Sequence, residues 1–247
     1  MRCIFLIFAL CAAAAPCRAG QITVNFKTVD GCAIVAFYLA PSSGSYVFIN
    51  THGLGSDRNE WAGFQDALGK RGLGYLSIDM RGHGASLNCS GKKVSYRAFS
   101  KADWSSISRD IEAAAAWLKK KKIPASRLVF CGASIGANLS LKAAAEGLTK
   151  PAAVVLLSAG LEYAGVQAAP YLPGGRQPGI FMAAAADDPY AWQSAGLLAQ
   201  TAGRKGADLY YTAARSGHGV NMFKAPELMT DILDWVLKSG RPAAAEK

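Results

Sequence analysis

Short apolar runs alternate with longer stretches of helical periodicity along most of this chain, and this alternation constrains its fold more than any other feature. The runs span residues 46–50, 74–79, 128–131, 153–158, 180–185 and 209–212. Strands that alternate with helices form mostly parallel sheets with helices packed on both faces. The sequence therefore predicts an α/β fold of this kind.

The length and composition allow one large core. The chain has 247 residues, of which 51% are hydrophobic and only 18% charged, and this excludes a disordered tail or a coiled coil. Residues 22–39 alternate in polarity around Asp30-Gly31, which predicts an antiparallel hairpin at the start. We expect a single domain over residues 20–247, with a sheet of about eight strands.

Two helices are marked by apolar stripes. The first stripe consists of Ile107, Ile111, Ala114, Ala115 and Leu118. Ser100 and Asp103 predict a capping box at the start of that helix. The second stripe, in the last helix, consists of Leu228, Ile232, Trp235 and Val236. Segment 160–179 is rich in proline and glycine and predicts a loop or short lid.

The first 19 residues have the features of a secretory signal peptide. Arg2 precedes an apolar run over residues 3–15, and the segment 16–19 places small residues before a cut near Gly20. The alternative is a membrane anchor, but a spanning helix needs about 20 apolar residues. We therefore expect an exported protein, periplasmic or secreted, that keeps no stable membrane anchor after signal cleavage.

The charge and the cysteines bear on partners and compartment. The formal net charge is +10, and loss of residues 1–19 leaves 25 bases against 17 acids. The densest basic run, 119–122, closes a predicted helix, so we interpret it as a solvated helix end and expect no nucleic-acid partner. Cys32, Cys89 and Cys131 remain, which permits one disulfide and a free thiol without fixing the pair. The three histidines lie far apart, so neither a metal site nor a cofactor is expected.

A candidate nucleophile follows the run at 128–131. The segment 132–136 reads Gly-Ala-Ser-Ile-Gly and leads into a helix-forming stretch over 137–146. A serine in this context sits on a strained turn between strand and helix, and flanking glycines avoid clashes with neighbouring backbone. Ser134 is thus predicted to be a nucleophile; the alternative is a surface turn that happens to contain a serine.

Serine needs a base, and the base needs an orienting carboxylate. His218 follows the last apolar run in a glycine-flanked loop, where we expect it to be the base. Asp187 and Asp188 follow the run at 180–185, and two adjacent acids cannot both point inward. We favour Asp188 as the partner of His218, with Asp187 as a surface or capping residue. The alternative is that both only cap the following helix.

Two further loops resemble those of the α/β-hydrolase family. Residues 50–55 read Asn-Thr-His-Gly-Leu-Gly, and residues 79–86 read Asp-Met-Arg-Gly-His-Gly-Ala-Ser, similar to loops of lysophospholipase-like, esterase-like and serine aminopeptidase-like members. The resemblance covers nearly the whole mature chain and implies an α/β-hydrolase fold. It also implies an oxyanion hole made by the N–H groups of Leu54 and Ile135, with His52 and His83 structural.

These features together predict an exported serine hydrolase. Its expected substrates are small molecules with an acyl group, and the expected reaction is cleavage of carboxylic esters. A peptidase or thioesterase on the same fold is the second possibility, and a non-catalytic binding module is the third. The segment 160–179 is too short for the helical cap domain of some relatives, so an open site is expected. Its Tyr163, Tyr171 and Leu172 are candidates to line an acyl pocket; the alternative is that such lid residues only pack against the body.

Overall fold

A computed structural model of the chain describes residues 20–239, at whose centre lies a sheet of mostly parallel strands. The strands are β1 Ile22–Lys27, β2 Cys32–Leu39, β3 Val47–Thr51, β4 Gly74–Ile78, β5 Asn88–Cys89, β6 Lys92–Lys93, β7 Leu128–Ala133, β8 Ala153–Leu157, β9 Glu162–Tyr163, β10 Val166–Gln167, β11 Gly179–Ala185 and β12 Leu209–Ala214. The α-helices are α1 Ala62–Lys70, α2 Lys101–Ser106, α3 Ser108–Lys120, α4 Ile135–Glu146, α5 Pro189–Arg204 and α6 Glu227–Ser239. Five short 3-10 helices connect them, at Arg58–Trp61, Tyr96–Ala98, Ala125–Arg127, Ala169–Tyr171 and Gly219–Lys224.

The eight long strands pair in the order β1-β2-β4-β3-β7-β8-β11-β12. The six strands from β4 to β12 in that order are parallel, whereas β2 pairs antiparallel with both β1 and β4. The short hairpin β5–β6 has two residues in each strand, and its first strand, β5, pairs with the start of β2. This arrangement confirms the predicted sheet of about eight strands with an N-terminal antiparallel hairpin.

Helices cover both faces of the sheet, because successive side chains of each buried strand point to opposite sides. In β3, Ile49 packs in the core that α3, α4 and α5 cover, while Phe48 packs in the core under α1 and α6. The two core layers confirm the predicted coverage on both sides.

The predicted long helix, which was expected to start at the Ser100–Asp103 capping box and to carry the stripe up to Leu118, is divided in two. Ser100 and Asp103 do form a capping box, but it starts α2, which ends at Ser106. The N–H of Ile107 donates to the carbonyl of Trp104, one residue short of the α-helical partner, so the helix tightens there before α3 begins. The apolar stripe from Ile107 to Leu118 is buried as predicted.

The predicted lid, residues 160–179, contains structure that the sequence did not indicate. It folds into the hairpin β9–β10 followed by the 3-10 turn Ala169–Tyr171. The amide nitrogen of Asn138 in α4 donates to the carbonyls of Gly160 and Val166 at 3.0 and 2.8 Å. Because Asn138 is fully buried, these bonds hold the hairpin firmly on the body of the protein.

The cysteines separate into a disulfide and a buried thiol. Cys32 in β2 is bonded to Cys89 in β5, and Cys131 in β7 is free and buried. The predicted signal peptide, 1–19, lies outside the described residues. Within residues 20–239, none of the helices has the length and apolar character needed to cross a bilayer.

Candidate active site

Ser134 occupies the turn between β7 and α4 in a strained backbone conformation. Its φ is 55° and its ψ is −123°, a region that costs free energy for any residue with a side chain and is concentrated at functional sites. A Cβ at Gly132 would meet the backbone of Gly136, and a Cβ at Gly136 would meet the carbonyl of Thr51. The two glycines are therefore required for the turn to close against β3.

His218 and Asp188 meet at the same edge of the sheet. Asp188 follows β11 and His218 follows β12, so their loops lie at the carboxyl ends of adjacent parallel strands. The imidazole Nδ1 lies 2.5 Å from Asp188 Oδ2, and the side chains are 45% and 16% exposed. The other carboxylate oxygen, Oδ1, accepts from the N–H of Ala191 at 3.4 Å. The side chain of Asp188 therefore both caps α5 and orients the imidazole.

Asp187 holds a different part of the same loop. Its two carboxylate oxygens accept from the N–H of Gly217 at 2.9 and 3.1 Å. The side chain is exposed and the bond is to the main chain just before His218. Asp187 is a surface residue, which is one of the two expected alternatives, and its hydrogen bonds hold the histidine loop rather than helix α5.

The histidine loop lies over the serine turn. A Cβ at Gly219 would lie 3.2 Å from Cβ of Ala133, the residue before Ser134. The N–H of Gly219 donates to Oγ of Ser158 at 2.9 Å, and Ser158 follows β8, the strand between β7 and β11. Ser158 thereby ties the loop of His218 to β8, the strand next to the one that leads to Ser134.

Tyr163 of the lid contacts both Ser134 and His218. Its ring meets the imidazole of His218 edge-on, with centroids 6.4 Å apart. Its hydroxyl donates to the carbonyl of Ser158 at 3.1 Å and faces the side chain of Ser134. Burial raises the pKa of Tyr163, so the phenol stays protonated. No hydrogen bond joins Ser134 directly to His218 in the described chain, and Tyr163 contacts both.

Two backbone amides beside Ser134 have no partner within residues 20–239. The N–H of Ile135 is the first of helix α4, where no intrahelical acceptor exists, and the N–H of Leu54 belongs to the loop after β3. A Cβ at Gly53 would lie 3.7 Å from Cβ of Ser134, so this loop passes directly in front of Ser134. Free N–H groups in this position can bind an oxyanion.

His52 determines the direction of the Leu54 amide. Its Nε2 accepts from the N–H of Met80 at 3.0 Å, which leaves Nδ1 to donate to the carbonyl of Gly53 at 2.7 Å. Burial lowers the pKa of His52 to about 3, so the ring is neutral. Because the carbonyl and the following N–H of a trans peptide point in opposite directions, holding Gly53 fixes where the N–H of Leu54 points.

His83 supports a neighbouring loop and makes no contact with Ser134. Its ring stacks on Tyr96 with centroids 4.1 Å apart, and its Nδ1 lies 3.1 Å from the carbonyl of Arg81. Burial lowers the pKa of His83. Arg81 is itself paired with Asp110 at 2.6 Å, so the loop after β4 is held by buried polar contacts.

Of the three lid residues proposed for an acyl pocket, only Tyr163 contacts the candidate catalytic residues. The hydroxyl of Tyr171 accepts from Nζ of Lys142 in α4 at 2.9 Å. Leu172 is 3% exposed and belongs to the core. The structure therefore corrects the pocket assignment for Tyr171 and Leu172, because both side chains anchor the lid to the body.

Two residues that contact the site were missed from the sequence, Ser158 and Glu60. Ser158 ends an apolar run next to the strand of Ser134, and a polar residue at that edge is a signal that could have identified it. Glu60 carries no such signal, because its bond to Gly53 is made by a loop that turns back on itself. No group of histidines, cysteines and acids suited to a metal occurs within residues 20–239.

The sequence matches the family described as serine aminopeptidase, S33, over residues 44–177, more than half of the chain. The chain belongs to the S33 serine aminopeptidase family of α/β-hydrolases. It is accordingly a serine hydrolase, and the α/β-hydrolase fold predicted from the sequence is confirmed. The matched segment of this S33-family chain contains Ser134, whereas Asp188 and His218 lie beyond it. No curated protein matches the chain in sequence.

Solved structures share the fold at low identity. The Pyrococcus furiosus esterase Pf2001 is 17% identical with a TM-score of 0.69, over 88% of this chain and 92% of that chain. A carboxyl esterase from Bacillus coagulans is 11% identical with a TM-score of 0.70, over 90% and 99%. A prolyl endopeptidase is 19% identical with a TM-score of 0.67, over 92% of this chain but 40% of that chain. The S33-family chain thus corresponds to nearly the full length of the two esterases.

Proposed function

We propose that the protein is an exported hydrolase of carboxylic esters that uses Ser134, His218 and Asp188 as nucleophile, base and orienting acid. The observation that carries this proposal is the 2.5 Å contact between His218 Nδ1 and Asp188 Oδ2 over a serine on a strained strand-to-helix turn. A carboxylate on Nδ1 holds the tautomer in which Nε2 can accept the serine proton.

In the acylation step, Nε2 of His218 takes the hydroxyl proton as Oγ of Ser134 bonds to the acyl carbon. The carbonyl oxygen becomes an oxyanion, which the N–H groups of Leu54 and Ile135 stabilise. Collapse breaks the bond to the alcohol oxygen, and this oxygen takes the proton from His218. Water then attacks the acyl-serine by the same route and releases the acid. Before the first of these steps, the hydroxyl of Ser134 must turn away from Tyr163 and toward Nε2 of His218.

Charge accounts for the roles of the surrounding groups. Asp188 stabilises the imidazolium that forms during proton transfer, and loss of one oxyanion donor costs on the order of 3 kcal/mol of transition-state stabilisation. Leu54 is 58% exposed, and the lid over the site is one short hairpin. An open site with these donors is suited to small acyl substrates.

An ester substrate is favoured over a peptide by the likeness of the fold to esterases. The chain aligns with nearly the full length of the esterases from Pyrococcus furiosus and Bacillus coagulans. The family description keeps an aminopeptidase as the second candidate. Because esters and amides pass through the same tetrahedral intermediate, the triad itself does not distinguish them.

A substrate panel tests this choice. Purified mature protein is assayed on p-nitrophenyl acetate, butyrate and octanoate and on aminoacyl p-nitroanilides, with Ser134→Ala as the matched control. We expect turnover of the short esters that Ser134→Ala abolishes. Faster cleavage of the anilides would favour the aminopeptidase, and preference for octanoate would contradict a small acyl pocket.

Export is supported by the apolar run at residues 3–15 and by the disulfide between Cys32 and Cys89, since disulfides persist in oxidising compartments. Fractionation of cells that express the full chain, with mass determination of the N-terminus, tests it. We expect a periplasmic or secreted product that begins near Gly20. An uncleaved cytoplasmic product would contradict export.

A further inference from the structure

Glu60 places a carboxylate beside the catalytic groups, although the proposed mechanism gives it no role. Its Oε1 accepts from the N–H of Gly53 at 2.9 Å. A Cβ at Gly53 would lie 3.8 Å from Glu60 Oε2 and 3.7 Å from Cβ of Ser134. The carboxylate and the nucleophile therefore border the same small space in front of Gly53.

The turn that carries Glu60 is fixed at both ends. Trp61, the next residue, is fully buried. Arg58 forms an ion pair with the buried Asp79, and its N–H also donates to Asp79 Oδ1 at 2.8 Å. Asp79 accepts in addition from the N–H of Ala85 at 2.7 Å. The backbone of the turn is thus held against the loop after β4, and the Glu60 carboxylate is held at a defined position.

Gly53 is held from two sides. Its carbonyl accepts from His52, which directs the Leu54 N–H, and its own N–H donates to Glu60. These two bonds fix both peptide planes that flank Gly53. Loss of the Glu60 bond would free one plane and leave the partly buried N–H of Gly53 without its acceptor.

The charge of Glu60 also acts on His218. Burial raises the pKa of Glu60, while hydrogen bonds from Ser56 and Gly53 and attraction to His218 oppose this rise. Asp57 is the other acid that acts on Glu60. His218 is faced by Asp188 from the start of α5 and by Tyr163 from the lid. Glu60 adds a further anion that attracts His218.

We propose that Glu60 is a positioning residue, whose carboxylate holds the oxyanion loop through the Gly53 N–H and, as an anion, stabilises the imidazolium of His218. The inference rests on the proposed function, since it assigns Glu60 a task in the same site. Glu60 would then act in two ways, through its hydrogen bond to Gly53 and through its negative charge. Different substitutions of Glu60 distinguish the two effects.

Glu60→Gln keeps an oxygen that accepts from Gly53 but removes the charge, and Glu60→Ala removes both. Asn59→Ala is the matched control, because Asn59 is exposed on the same 3-10 turn. The measurements are kcat and KM for p-nitrophenyl acetate, the pH profile of kcat/KM, whose acid limb reports the base of the free enzyme, and thermal unfolding.

We expect Glu60→Gln to move the acid limb to lower pH by about half a unit or more, because the imidazolium loses an anionic neighbour, with a plateau within about threefold of wild type. We expect Glu60→Ala to lower kcat about tenfold or more with little change in KM, and Asn59→Ala to match wild type. An unmoved acid limb in folded Glu60→Gln, or an unchanged kcat in Glu60→Ala, overturns the inference. Failure of the proposed function is distinct, because the wild type would then not cleave the ester.

Discussion

Asp187 and Asp188 are adjacent in sequence, yet their carboxylates hold different parts of one loop. Asp187 binds the main chain of Gly217, while Asp188 binds the ring of His218. Both residues lie in the turn after β11, which ends at Ala185, and this turn directs the two side chains to different parts of the loop. The proposed orienting role therefore falls to Asp188.

Substitution of each aspartate by asparagine tests this division. Asp188→Asn leaves the shape intact but presents an amide to Nδ1, and we expect kcat to fall by about 10³–10⁴-fold. Asp187→Asn keeps one oxygen for the N–H of Gly217, and we expect less than a tenfold loss. Steady-state kinetics on p-nitrophenyl acetate give both values. The reverse order would assign the acid to Asp187.

Two glycines inside helices are expected to respond oppositely to alanine. Gly136 in α4 meets the backbone of β3, so Gly136→Ala should lower the free energy of unfolding by about 1–3 kcal/mol or more. Gly196 in α5 has open space at its Cβ position, so Gly196→Ala should raise stability by about 0.5–1 kcal/mol. Urea titrations of the two variants measure this. Equal effects would mean that the close approach at Gly136 is not required.

The buried histidines predict a loss of stability in acid. The folded-state pKa of His52 is lowered to about 3 by burial, while the unfolded chain has the ordinary value near 6.5. Below pH 6.5 the unfolded state binds the extra proton, so stability falls as the pH is lowered toward 3. We expect this residue to cost about 3 kcal/mol at pH 4.5.

Denaturant titrations at pH 7.5 and 4.5 measure this dependence, with His52→Gln as the comparison. The variant should be less stable at pH 7.5 but should lose less stability between the two values. An identical pH slope in both proteins would show that His52 does not carry the effect.

The disulfide is expected to stabilise the N-terminal hairpin. Cys32 and Cys89 are 57 residues apart, and closure of a loop of this size typically contributes about 2–4 kcal/mol. The double variant Cys32→Ser, Cys89→Ser should unfold at a correspondingly lower denaturant concentration.

In that double variant a thiol reagent should detect Cys131 only in the unfolded protein, since burial raises its pKa well above the usual value. Reaction of native Cys131 would contradict its place in the core.

The sheet could be predicted closely from the sequence because its strands are buried runs with sharp polar ends. The run at 153–158 became β8 at Ala153–Leu157, and the run at 74–79 became β4 at Gly74–Ile78. The lid hairpin could not be predicted, since strands of two residues such as Glu162–Tyr163 produce no periodicity. Its position depends instead on Asn138, a buried side chain of a different element.

The site was predictable only where chain order and strand ends carried the signal. Ser134, Asp188 and His218 each follow an apolar run, and the structure brings His218 to Asp188. Ser158 and Glu60 act on loops through contacts that exist only after folding: Ser158 lies 61 residues from Gly219 along the chain. The partners in such contacts leave no pattern in a single sequence, although a polar residue at the end of the run 153–158 marks Ser158 itself.

The central claim is that Ser134 is the nucleophile that His218 activates. Mature wild-type protein is treated with a fluorophosphonate and digested, and the modified residue is mapped by mass spectrometry, in parallel with folded Ser134→Ala and His218→Ala. The account predicts one adduct, on Ser134, that is absent in Ser134→Ala and forms at least about 10²-fold more slowly in His218→Ala. An adduct on another residue, or labelling of Ser134 at the same rate without His218, would contradict it.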